Sequence, residues 1–172
     1  MTSIATDAKP PGFVEMPFCE QLIVWAVRFW VRNFKNQCSA DGPIQHGFAL
    51  ARVPEAHRAL DDFLTIVAYA SGTGIDIRCL HHPSTSIDEQ RILGIIAALQ
   101  VQGAEKEAES FLSIWLPPAA VRCALTAATT LAKALGTEGL SIRARDPNQF
   151  AGILPNPLPA EPIDQTGSVT VH

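Results

Sequence analysis

Residues 17–36, PFCEQLIVWAVRFWVRNFKN, decide the fold class of this chain. At about 100° per residue, Phe18, Leu22, Trp25 and Phe29 fall on one face of a helix. The remaining circumference carries only a narrow polar strip, made by Gln21, Arg28, Arg32 and Lys35. Because a helix that is apolar nearly all round must be buried on several sides, we predict a helix over residues 17–36 that is the central post of the fold or is shared with a second subunit.

Five further segments carry helical periodicity or helix-end signals. They cover about residues 44–51, 54–71, 86–103, 104–116 and 117–135. Residues 86–89, SIDE, form a capping box in which Ser86 and Glu89 exchange side-chain and backbone hydrogen bonds. The chain is therefore predicted to be mainly α, a single-domain bundle of five to six helices.

Two short segments alternate apolar and polar residues, as β-strands do. The first covers about residues 75–79, with Ile75, Ile77 and Cys79 on one face, and the second covers about residues 140–144. A two-stranded ribbon is marginally stable by itself, so a ribbon formed by these strands must pack on the helices.

The surroundings of the two alternating segments also resemble each other. Residues 70–78, ASGTGIDIR, and residues 134–143, ALGTEGLSIR, both run from a helix end through Gly-Thr and a glycine into the alternating segment. Such similarity is typical of two related halves. The alternative is chance, since Gly-Thr is common after helices.

The ends of the chain differ in composition from its middle. Residues 1–14 show no periodicity and are predicted to be a flexible arm, followed by a helical domain over residues 15–145. Residues 146–172 are predicted to be a disordered tail, because they contain five prolines and only scattered apolar residues.

Composition limits the classes of function. The 172 residues are 47% hydrophobic and 17% charged, with a net charge of −4, which excludes the basic footprint of a general nucleic-acid binder. We expect no membrane span, because the most apolar stretch is shorter than the roughly 20 residues that a bilayer requires. The beginning of the chain lacks the pattern of a signal peptide, and the four widely spaced cysteines fit reduced thiols, so a cytoplasmic location is expected.

Cys79, His81 and His82 are the best candidates for metal ligands. Thiolate and imidazole together suit Zn²⁺. On a strand, however, Cys79 and His81 point to one face and His82 to the other, so further ligands must come from elsewhere in the chain. The alternative is a buried cysteine followed by two loop histidines.

No motif for a catalytic site or an organic cofactor is present in the sequence. We therefore predict a non-enzymatic interaction protein that associates with a protein partner or with itself, using the aromatic side chains of Trp25, Phe29 and Trp30. One alternative is a metal-binding domain or metalloenzyme that uses Cys79 and His81. Another is a small-ligand sensor with a pocket between helices.

Overall fold

The fold is described from a computed structural model of the chain. The structure describes residues 12–38 and 41–145, and six α-helices lie within these residues. The predicted tail, and the predicted arm up to residue 11, lie outside them. The prediction of a mainly α fold with five to six helices is confirmed.

The helices follow the predicted order, with small shifts at their ends. They are α1 (Phe18–Lys35), α2 (Asp41–Leu50), α3 (Ala56–Ala70), α4 (Ile87–Gln100), α5 (Glu105–Leu112) and α6 (Pro118–Thr137). Before α1, a short 3₁₀ turn covers Phe13–Glu15. Phe13 donates its backbone N–H to the carbonyl of Pro83 at 2.7 Å, so this turn is attached to the loop that precedes α4.

The most enclosed helix is α4 rather than α1. Every residue from Asp88 to Ala98 is buried, whereas α1 exposes Phe18, Arg32 and Phe34. The expectation that α1 is the central post is therefore wrong. Small residues within α4 allow its neighbours to approach closely, and the charged residues of its first turn are buried with partners.

The first turn of α4 has the predicted capping box. The Glu89 N–H donates to Ser86 Oγ at 3.0 Å, and the Ser86 N–H donates to Glu89 Oε2 at 2.9 Å. Two backbone donors that the helix itself leaves without acceptors are satisfied in this way.

Helix α6 packs along α3, and α4 packs against both α5 and α6. The contact face of α6 is rich in alanine, including Ala124, Ala128 and Ala132, which lets the helices approach closely. The core is continuous, and it includes side chains from all six helices.

The predicted ribbon is not formed by the residues that the structure describes. Their only β-type pairing is an isolated bridge between Gly12 and Ser84. We call residues 74–79 the first extended segment and residues 140–145 the second extended segment. Two backbone donors of each segment go to polar side chains on helices and none goes to the other segment, which is why alternation alone gave the wrong pairing.

Candidate functional site

The three predicted metal ligands lie in and just after the first extended segment. Cys79 and His81 are exposed, and His82 is half-buried. The His82 N–H donates to the Cys79 carbonyl at 3.0 Å, which closes a turn. The His82 ring is engaged locally, with Nδ1 lying 2.9 Å from the carbonyl oxygen of Ser84.

Among the residues that the structure describes, no three His, Cys, Asp or Glu side chains are grouped so that they could hold a metal ion. The turn places Cys79 and His81 close in sequence at the surface, without a third ligand from the rest of the described chain. The metal site stays a prediction.

The three predicted interface aromatics occupy two different environments. Trp30 is buried, and its Nε1–H donates to Asp61 Oδ1 at 2.6 Å. Trp25 and Phe29 are half-buried, and their ring centroids lie 5.8 Å apart. Trp25 also packs against α2 at Gly47. The role of these residues at an interface stays a prediction.

A more exposed aromatic pair lies beside Trp30. Phe34 stacks on the Trp30 ring with centroids 4.8 Å apart, and Tyr69 contacts Phe34 edge-on at 5.7 Å. Phe34 is 41% exposed and Tyr69 is 77% exposed. Sequence reasoning missed Tyr69 as a functional candidate, although an aromatic residue outside the apolar stripe of a helix was a signal that could have found it.

Trp30 and Phe34, but not Tyr69, line a hollow that we call the α1/α3 cleft. It has a volume of about 300 Å³ and lies between the C-terminal halves of α1 and α3 and the first extended segment. Its apolar walls include Trp30, Val31, Leu64, Val67, Ile77 and Ile92. A cleft of this size and lining can accept an apolar group from a partner or a small ligand.

Polar groups reach the α1/α3 cleft at only a few places, which include Lys35, Ser71 and Thr73. The Ser71 hydroxyl donates to the Thr73 carbonyl at 2.7 Å, which shapes the turn after α3. The Thr73 hydroxyl is buried and has no hydrogen-bond partner among the described residues. Since buried hydroxyls usually have partners, this one is a point where a bound group could be recognised.

The wall formed by the first extended segment is held in place by the N-terminus of α4. The Asp76 N–H donates to Asp88 Oδ2 at 2.8 Å, and the Arg78 N–H donates to Glu89 Oε1 at 3.1 Å. The Ser86 hydroxyl donates to the Asp76 carbonyl. The N–H and carbonyl of Asp76 and the N–H of Arg78 are thereby satisfied by side chains at the start of α4.

The carboxylate of Glu89 is in turn fixed by Arg28 of α1. Arg28 donates Nε–H to Glu89 Oε1 at 2.7 Å and an Nη2–H to Glu89 Oε2 at 2.9 Å, and both side chains are fully buried. The same guanidinium donates to the carbonyls of His82 and Ser84, both at 2.8 Å. Arg28 therefore connects α1, α4 and the loop between the first extended segment and α4.

The second extended segment has a comparable attachment at the other end of α1. The Arg143 N–H donates to Glu20 Oε1 at 3.0 Å, and the guanidinium groups of Arg143 and Arg145 also donate to the Glu20 carboxylate. Burial alone raises the pKa of Glu20, but the hydrogen bonds from these two arginines outweigh it and leave the pKa below its ordinary value. Glu20 is therefore ionised at neutral pH.

No family model matches this chain, and comparisons with curated proteins and with solved structures also found no match. None of the helices in the described part of the chain is long and apolar enough to cross a membrane.

Proposed function

We propose that this chain is a non-enzymatic helical protein that works through protein interaction and associates with itself. The observation that supports the proposal is the exposed aromatic pair formed by Phe34, which lines the α1/α3 cleft, and Tyr69, which contacts Phe34 edge-on. Aromatic side chains beside an apolar hollow are the usual anchors of protein interfaces, because they bury a large area at a low cost in conformational entropy.

The site is built for binding rather than for turnover. The charged side chains behind the first extended segment, including Arg28 and Glu89, are buried and paired with each other, so they support the wall of the cleft. The open part of the cleft offers aromatic and aliphatic surface, and Lys35 is part of its lining. A partner that buries Tyr69 gains its apolar area without disturbing this support.

The test is sedimentation equilibrium of the wild-type chain and of Tyr69→Ser. We expect the wild type to self-associate and Tyr69→Ser to shift the equilibrium toward monomer, with an increase in Kd of about tenfold or more. Leu50→Ser is the matched control, because Leu50 is 73% exposed at the end of α2, outside the cleft lining. A wild-type chain that stays monomeric would refute self-association.

A small apolar ligand in the same cleft is the second candidate function. The unpartnered hydroxyl of Thr73 favours it, because a ligand with one polar group could satisfy that hydroxyl while its body fills the apolar walls. A screen of small amphiphilic molecules for thermal stabilisation tests this function. Loss of the stabilisation in Thr73→Val would locate the ligand in the cleft.

A further inference from the structure

The two backbone edges of the first extended segment are used differently. In an extended chain, the N–H and C=O groups of one residue point to the same side, and successive residues alternate. Asp76 and Arg78 direct their N–H groups toward α4, where Asp88 and Glu89 accept them. The backbone groups of the residues at odd positions therefore point away from α4.

The outward edge is unpaired within the described chain. The N–H groups of Ile75, Ile77 and Cys79 and the carbonyls of Ile75 and Ile77 have no hydrogen-bond partner among the described residues. The carbonyl of Cys79 accepts one bond, from the His82 N–H, and keeps a second lone pair. A row of free donors and acceptors of this kind is a template for pairing with another strand.

The described part of the chain does not return along this edge. After the turn that begins at Cys79, it passes back on the inner side, where the Ser86 hydroxyl contacts the Asp76 carbonyl. The side chains of Ile75 and Ile77 line the α1/α3 cleft, whereas the side chains of Asp76 and Arg78 are 52% and 42% exposed. The segment thus has an apolar face toward the cleft and a charged face toward solvent.

The sequence of the segment is complementary to itself in the antiparallel sense. If two copies pair about Ile77, Ile77 faces Ile77 and Ile75 faces Cys79 of the second copy. In the same register, Asp76 of each copy faces Arg78 of the other, which places opposite charges across the pair twice. A one-residue change of register removes this match.

We propose that two copies of this chain associate by antiparallel pairing of residues 75–79 about Ile77, an inference that rests on the self-association proposed above. Each of the three facing pairs of odd-numbered residues exchanges two backbone hydrogen bonds, because these residues carry the outward groups. The interface is isologous, with the same edge used by both copies. It extends onto the rim of the cleft, where the exposed aromatic pair lies.

The charged face provides the test. Asp76 and Arg78 form an ion pair at 3.4 Å within one chain, and neither side chain has another hydrogen bond or ion pair among the described residues, so we expect the fold to tolerate reversal of either charge. Asp76→Arg places two arginines opposite two arginines in the dimer, and Arg78→Asp places aspartates opposite aspartates. Each variant alone should raise the dimer Kd about tenfold or more.

Mixing the two variants should restore association. The Asp76→Arg copy carries arginine at positions 76 and 78, and the Arg78→Asp copy carries aspartate at both. In their heterodimer, arginine therefore faces aspartate at both facing pairs. Native mass spectrometry of the equimolar mixture should show the heterodimer in excess over both homodimers. Glu107→Arg and Lys106→Asp are matched controls, because they change the net charge equally on the exposed surface of α5.

The outcomes separate the two proposals. A wild-type dimer that both reversed variants weaken, and that their mixture restores, supports pairing about Ile77. A wild-type dimer unaffected by either reversal would overturn the strand pairing and leave self-association standing. Weakened variants whose mixture also fails to associate would overturn this register. A wild-type monomer at the highest soluble concentration would overturn both proposals.

Discussion

Two halves of this molecule repeat the same order of elements and the same type of attachment. Three helices lead into the first extended segment, and three more lead into the second. Arg78 in the first segment donates its backbone N–H to Glu89, the third residue of α4. Arg143 in the second segment donates its N–H to Glu20, the third residue of α1. Each half thus holds the extended segment of the other.

The two attachments differ in their access to water. The Glu89 carboxylate is paired with Arg28, and neither side chain has exposed surface. The Glu20 carboxylate is also buried, but the side chain of its partner Arg143 is 57% exposed, while that of its second partner Arg145 is 9% exposed. The arginine–glutamate contact is therefore fully enclosed in one half and has one solvent-exposed partner in the other. Its loss should be much more costly where water cannot replace the partner.

The largest expected effect is that of Arg28→Met. This change leaves the Glu89 carboxylate buried without its counter-ion and removes the donors to the carbonyls of His82 and Ser84. We expect a loss of about 3–5 kcal/mol in the free energy of unfolding, measured by urea denaturation.

The double variant Arg28→Met/Glu89→Gln is the control for the buried charge. It should be more stable than Arg28→Met alone, because it removes the uncompensated carboxylate. If Arg28→Met lowered the free energy of unfolding no more than Glu20→Gln does, the burial of the ion pair would not determine the cost of losing it.

Arg28 also shows what the sequence could not reveal. Helical periodicity places it on the polar strip of α1 with Arg32 and Lys35, yet only Arg28 is buried. Its burial depends on a carboxylate 61 positions away in the chain, which no local pattern encodes. The capping box at Ser86 and Glu89, by contrast, was predictable because both partners lie within one helical turn.

The same distinction applies to the extended segments and to the cleft. Alternation predicted a strand at Ile75 and Ile77, which the described residues do not form, because it could not say that Asp88 and Glu89 would accept the N–H groups of the segment. The α1/α3 cleft depends on how residues of α1, α3 and the first extended segment are placed relative to one another, which periodicity does not specify. Tyr69 could be placed outside the apolar face of α3, but not beside Phe34.

A second comparison between the halves concerns a glycine under an aromatic ring. A Cβ atom added at Gly94 of α4 would lie 2.8 Å from the ring of Phe111, and one added at Gly47 of α2 would lie 2.8 Å from the ring of Trp25. Phe111 is fully buried, whereas Trp25 is half-buried and can move toward solvent. The methyl group of an alanine should therefore be tolerated better at Gly47 than at Gly94.

Gly94→Ala should lower the free energy of unfolding by about 1–3 kcal/mol, because the buried ring has no space to move into. Gly47→Ala should be close to neutral, since the gain in helix propensity of about 1 kcal/mol offsets the displacement of Trp25. Urea denaturation of both variants measures the two changes in the free energy of unfolding. Equal costs at the two positions would mean that the exposure of the ring does not determine the tolerance.

The smallest expected effect is at Glu20, the attachment that has one exposed partner. Glu20→Gln keeps the shape of the side chain but replaces charge-assisted hydrogen bonds to Arg143 and Arg145 with neutral ones. Because Arg143 is largely exposed and screened by solvent, whereas Arg145 is only 9% exposed, we expect a loss of about 1–2 kcal/mol at neutral pH. Glu138→Gln, an exposed change just after α6, is the matched control and should leave stability unchanged.

The pH dependence of this effect separates charge from shape. The pKa of Glu20 is lower in the folded chain than its ordinary value of 4.5, so the folded state binds its proton less readily than the unfolded state does. The stability contributed by the Glu20 charge is therefore fully present above about pH 5 and is lost as the pH falls through the folded-state pKa. The difference in unfolding free energy between the wild type and Glu20→Gln should be constant from neutral pH to about pH 5 and should shrink below pH 4.5. A difference that persists unchanged to about pH 3 would show that Glu20 holds the second extended segment through its shape and hydrogen-bonding geometry rather than through its charge.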